Sequence, residues 1–136
     1  MRNTLAIFLI STALLFTACG GDDVKHSSDY QEKKASIADQ EKSSPKSFLT
    51  VKFDYHKNLL GKWVVEGEVK NSGSVITYKN ITLQVEYMDK DGGTMIKDNE
   101  AIDGEVKPNS SLDFKIKEPK VKGARSVNVK IVSAEG

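Results

Sequence analysis

Thiol and imidazole side chains are scarce in this chain of 136 residues, which holds one cysteine, Cys19, and two histidines, His26 and His56. The thiol has the most informative surroundings. Leu5 to Phe16 is a short apolar run behind Arg2, and Leu15-Phe16-Thr17-Ala18 leads directly into Cys19. A helix that crosses a bilayer needs about 20 apolar residues. A positive start, a shorter apolar run and small residues at its end are instead the marks of a removable signal. Polarity changes at once beyond the cysteine, at Gly20, Gly21, Asp22 and Asp23. The expected cleavage falls between Ala18 and Cys19, so residues 1–18 are a signal peptide and Cys19 opens the mature chain.

The remaining chemistry is sparse. His56 falls on the polar side of an alternating run, so neither a nucleophile triad nor a multi-histidine metal site can be assembled around it. His26 lies in a polar stretch and reads as solvated. Acidic residues gather in Asp89-Lys90-Asp91-Gly92, in Asp98-Asn99-Glu100 and in Asp103-Gly104-Glu105. The first group opens like a calcium loop but lacks the later ligands and the bidentate Glu at the twelfth position. A β-turn explains it better, and a calcium- or carbohydrate-binding role for the acidic loops between Asp89 and Glu105 is the second reading. No catalytic residue, cofactor or metal ligand is expected, which points away from an enzyme.

Charge narrows the partners. Lys and Arg number 20 against 19 Asp and Glu, and loss of Arg2 with the signal leaves the two balanced. Nucleic acid is therefore not an expected partner, because phosphate binding draws on a clustered positive patch. With its one cysteine at the mature terminus, the remainder has none to cross-link it, and hydrophobic burial must hold the fold together.

Two regions must carry these residues. From Gly20 to Ser47 the chain is rich in Asp, Lys, Ser, Glu and Gln with no apolar period, which predicts a flexible polar linker over residues 19–47. As a coil it would span roughly 30 Å; a transient helix over Tyr30 to Lys42 is the local alternative. Residues 48–136 change to a period of two. Val51, Phe53 and Tyr55 alternate with Lys52, Asp54 and His56. Trp63, Val65 and Val69 alternate with Val64, Glu66, Glu68 and Lys70, and Ile81, Leu83, Val85 and Tyr87 alternate with Thr82, Gln84, Glu86 and Met88. Leu112 to Ile116 and Val127 to Ile131 repeat the pattern, while Thr94 to Lys97 and Ala101 to Val106 are shorter candidate edge strands. Turn residues at Asn71-Ser72-Gly73, Asp91-Gly92-Gly93 and Pro108-Asn109 separate the runs. This predicts an all-β, antiparallel β-sandwich of about six to seven strands. Within it Trp63 and Tyr87 should be core, Asn71 and Asp89 should form turns, and Gly67 should mark a bulge or a close backbone approach.

Two resemblances add to this reading. Leu15-Phe16-Thr17-Ala18-Cys19 resembles the lipobox of bacterial lipoproteins, with Phe16 at a position where an aliphatic residue is usual. The resemblance implies that Cys19 is lipidated, that cleavage falls between Ala18 and Cys19, and that the protein sits on a membrane through acyl chains on Cys19. Its place would be the outer membrane of a cell with two membranes, or otherwise the outer face of the cell membrane. Val65-Glu66-Gly67-Glu68-Val69-Lys70-Asn71, Val85-Glu86-Tyr87-Met88-Asp89 with Asp91-Gly92, and Pro108 leading to Phe114 are similar to the FxLyD family of bacterial immunoglobulin-like domains. Here Val85, Tyr87, Met88 and Asn109 replace the typical Phe, Leu, Tyr and Gly. That resemblance implies a non-catalytic immunoglobulin-like module, and the expected partner is another envelope protein or a surface polymer.

Overall fold

The computed structural model describes residues 23–117 and 121–136. Two helices, α1 (Asp23–Ser43) and α2 (Pro45–Phe48), precede six strands: β1 (Leu49–Lys57), β2 (Trp63–Asn71), β3 (Tyr78–Met88), β4 (Thr94–Val106), β5 (Ser111–Lys117) and β6 (Ser126–Glu135). They form two antiparallel three-stranded sheets, ordered β1-β2-β5 and β4-β3-β6. An all-β sandwich with the expected number of strands is thus what the alternating runs build.

The alternation has a simple physical outcome. β2 and β3 are the central strands, and their inward residues Val65, Val69, Ile81, Leu83, Val85 and Tyr87 are fully buried. Phe114 and Ile116 of β5 and Val127 and Val129 of β6 complete the apolar layer between the sheets. Trp63 and Tyr87 meet in this layer with ring centroids 6.2 Å apart. Val64, on the polar side of its alternation, is nevertheless buried; His56 and Lys117 lie opposite it on the two flanking strands. Tyr55 is more open than its inward pattern predicts, since it lies near the end of edge strand β1 and packs edge-on against Trp63.

Two elements differ from the sequence reading. Thr94 to Lys97 and Ala101 to Val106 are parts of one 13-residue strand, β4. The acidic groups from Asp98 to Glu105 therefore lie along a sheet edge, with only Asp89 and Asp91 in a loop. Asn80 (φ 49°) and Gly104 (φ 114°) sit at a register shift between β3 and β4, which lets the long strand continue past an irregularity. The second difference is α1, which occupies most of the stretch where polar composition predicts a flexible linker. Its Glu, Lys, Ala and Gln residues favour a helix, but most of its surface is exposed. It gains its fixed place near its C-terminal end, where Ala38 packs on the core and Glu41 is buried.

Gly67 shows why one position on a central strand tolerates no side chain. β1 and β2 keep continuous register through the Phe53–Gly67 pair, so there is no bulge. A Cβ at Gly67 would stand 2.7 Å from the Phe53 Cα. Gly67→Ala is expected to destabilise the sandwich by about 1–3 kcal/mol through overpacking, seen as a lower urea midpoint. An unchanged midpoint would show that β1 yields without cost.

Candidate functional site

The chain leaves the first sheet at Asn71 and enters the second at Tyr78, and the crossing between them has no ladder to satisfy its backbone. Asn71, fully buried, satisfies part of it. Its Nδ2 donates to the Ile76 carbonyl (2.8 Å) and the Val106 carbonyl (3.1 Å), and its Oδ1 accepts from the Gly73 N–H (2.7 Å). The expected turn-former is therefore also a tie between the crossing and the end of β4.

Glu41 satisfies a further part of it from outside the sandwich. Its carboxylate accepts from the N–H groups of Ser74 (2.6 Å), Val75 (3.1 Å) and Ile76 (2.7 Å) and from the Ser74 Oγ (3.1 Å). Three successive N–H groups converging on one anion form a backbone nest. The Tyr78 hydroxyl donates to the Glu41 carbonyl (2.8 Å), so side chain and main chain are both held. Burial, the largest influence, pushes the Glu41 carboxyl up. The hydrogen bonds from Ser74, Ile76 and Val75 together outweigh it and hold the group below its ordinary value. Tyr78 is pushed up by its own burial and then by the Glu41 charge.

A second carboxylate is enclosed on the outer face of β3. Glu86 accepts from Lys130 Nζ (2.8 Å) and Asn128 Nδ2 (3.1 Å) of β6 and pairs with Lys97 (3.1 Å) of β4. Hydrogen bonds from Lys130, Asn128 and Lys97 lower its pKa to about 2. This acid bridges all three strands of its sheet. Its alternation marked it as outward-facing, but its partners come from strands paired only in the tertiary fold. Glu41 carried no signal among the many Glu and Lys residues around it.

The other sequence-expected residues are placed as follows. Ala18 and Cys19 lie outside the described residues. Asp89 is a turn-former: its Oδ1 accepts from the N–H groups of Asp91 and Gly93 (2.9 Å each), while Asp91 pairs with Lys90. His56 is exposed on β1. Among the described residues no group of three or more His, Cys, Asp or Glu side chains is arranged to hold a metal ion. No described helix is long and apolar enough to cross a membrane. An open cleft of about 470 Å³ runs between the edges of β4 and β5, bordered by Glu100, Asp103, Asp113 and Lys115.

Removing the Glu41 carboxylate orphans three backbone donors, of which the Ile76 N–H is buried and those of Ser74 and Val75 partly so. Glu41→Ala should cost about 2 kcal/mol of helix docking and accelerate hydrogen exchange of the α1 amides, while those of β2 and β3 stay protected. Equal protection of α1 in the variant would refute a docking role for the Glu41 carboxylate. The acid response follows from the two depressed carboxyl values. A group with a folded pKa below its unfolded value contributes stability above the unfolded pKa and loses it as pH falls through the folded one. Stability should therefore decline as pH drops from about 4.5 towards 2, and Glu86→Gln should flatten that decline in acid-unfolding curves.

No protein family, curated protein or solved structure matches the chain. Its functional reading rests on its own residues and geometry.

Proposed function

We propose that the chain is a lipid-anchored cell-envelope protein whose β-sandwich serves as a non-catalytic module for docking another envelope protein or a surface polymer. The observation that carries this reading is Leu15-Phe16-Thr17-Ala18-Cys19 at the end of a short apolar segment. A lone thiol on a polar terminus has no core to enter and would be a reactive liability outside the cell. Acylation removes that liability, and two or three chains hold firmly where a single chain binds only marginally. The residues of the FxLyD-like pattern support an immunoglobulin-like module, since Gly67 and Asn71 fall in β2, Tyr87 in β3 and Phe114 in β5. The two enclosed carboxylates support a non-catalytic role, because Glu41 is engaged with backbone donors and Glu86 with two lysines and an asparagine.

The anchor reading is tested at one atom. Cys19→Ala should abolish incorporation of labelled fatty acid and move the protein from the detergent phase to the aqueous phase on phase separation. Labelling that persists in the variant would rule out Cys19 as the attachment point.

A further inference from the structure

Every exposed large hydrophobic side chain of the sandwich among the described residues lies towards one end. Leu59 and Leu60 are 106% and 74% exposed at the tip of the β1–β2 hairpin, and Tyr55, Met95 and Ile96 stand on the adjoining parts of β1 and β4. The Trp63–Tyr87 contact brings the β1–β2 tip and the β3–β4 tip to the same end. The segment before β6 joins them through the bond from the Arg125 N–H to the Met88 carbonyl.

The leucines stand on a turn built to hold them out. The Asn58 N–H donates to the Lys62 carbonyl (2.9 Å), its carbonyl accepts from the Gly61 N–H (2.9 Å), and its Oδ1 accepts from the N–H groups of Leu60 and Lys62 (3.0 Å each). Gly61 supplies the positive φ, 72°, that closes the loop. With the N–H groups of Asn58, Leu60, Gly61 and Lys62 bonded within the loop, the turn presents two apolar side chains to an apolar medium with little further ordering.

Charge says which medium. Lys57 and Lys62 flank the leucines, and Lys117, Lys122 and Arg125 are exposed at the same end, where these five cations outnumber the carboxylates of the β3–β4 tip, Asp89, which closes its own turn, and Asp91, which pairs with Lys90. None of the five forms an ion pair among the described residues; Lys57 instead lies over the Trp63 ring at 4.4 Å. Protein hot spots favour Trp, Tyr and Arg in pockets and under-represent Leu. A convex pair of leucines ringed by lysines instead matches the apolar-plus-basic pattern of interfacial membrane binding. We infer that this end is a membrane-contact site, with Leu59 and Leu60 entering the interface of a bilayer rich in anionic phospholipid and the surrounding cations meeting its headgroups. α2 joins the sandwich at the far end of β1, nine residues or about 30 Å away. On the anchor reading proposed above, the tip lies at the end of the sandwich away from the α2 junction, where a second bilayer can meet it.

The test uses the chain purified from membranes and reconstituted into neutral donor vesicles of phosphatidylcholine. Acceptor vesicles contain brominated phosphatidylglycerol or brominated phosphatidylcholine. Flotation of the protein with donor vesicles reports the N-terminal attachment separately from the tip. The wild type should cluster anionic acceptors, and the brominated lipid should quench Trp63, the only tryptophan. Leu59→Ser with Leu60→Ser should weaken acceptor binding by about 10-fold or more, and Lys57→Gln with Lys62→Gln by about 10-fold on anionic vesicles. These side chains are exposed, so circular dichroism should be unchanged. Absence of clustering by the wild type, equal clustering of neutral acceptors, or clustering indifferent to the leucine substitutions would each overturn the proposal. The first result would leave the tip as a protein-docking surface.

Discussion

The backbone N–H groups of Ser74, Val75 and Ile76 must be satisfied where the chain passes from one sheet to the other, and the carboxylate that satisfies them belongs to a helix outside the sandwich. The whole N-terminal end of the domain follows from that interaction. Asn71 ties the same crossing to the end of β4, and Tyr78 holds the Glu41 main chain. An unpaired buried amide is costly, so crossing and helix end are stabilised as one unit. Such polar networks matter because each member leaves a penalty behind if another is removed.

Docking of α1 changes the mechanical character of the segment before the sandwich. A coil of that length reaches about 30 Å only as an average over many directions. A 21-residue helix spans a similar distance, about 30 Å, along one axis. With Glu41 in its nest, the helix end has a fixed seat on the sandwich. On an anchored protein this would give the domain a preferred stance above the surface in place of a free radius, and so would favour a module that presents a particular end outward.

The two ends of the sandwich are chemically distinct. Near the helix, polar atoms are buried and matched, as with Glu41 and Asn71. At the other end, large apolar side chains and cations face solvent. Between them, the outer face of β3 places Glu86 among Lys97, Asn128 and Lys130, which binds the three strands of that sheet from the solvent side. Antiparallel sheets with one solvated face commonly stabilise it through such cross-strand pairs.

Much of the fold was legible from local pattern. Strict alternation in Ile81 to Tyr87 and in Leu112 to Ile116 requires one buried face, and the turn residues mark where each strand stops. Trp63 and Tyr87 as core, Asp89 as a turn-former and Gly67 as a close approach all follow from residue type and position, because those effects act within a strand or between neighbours. Glu41 and Glu86 could not be found that way. Their partners lie 33 to 35 residues away for Glu41, and 42 and 44 for the two on β6 that hold Glu86. The sequence by itself determined a two-faced β domain behind a polar segment, which follows a short apolar run ending near Cys19. Only the tertiary structure decided that this polar segment is a docked helix and that the exposed leucines, aromatic and basic residues collect at one end. Burial and charge pairing depend on which strands become neighbours, and distant parts of the chain settle that together.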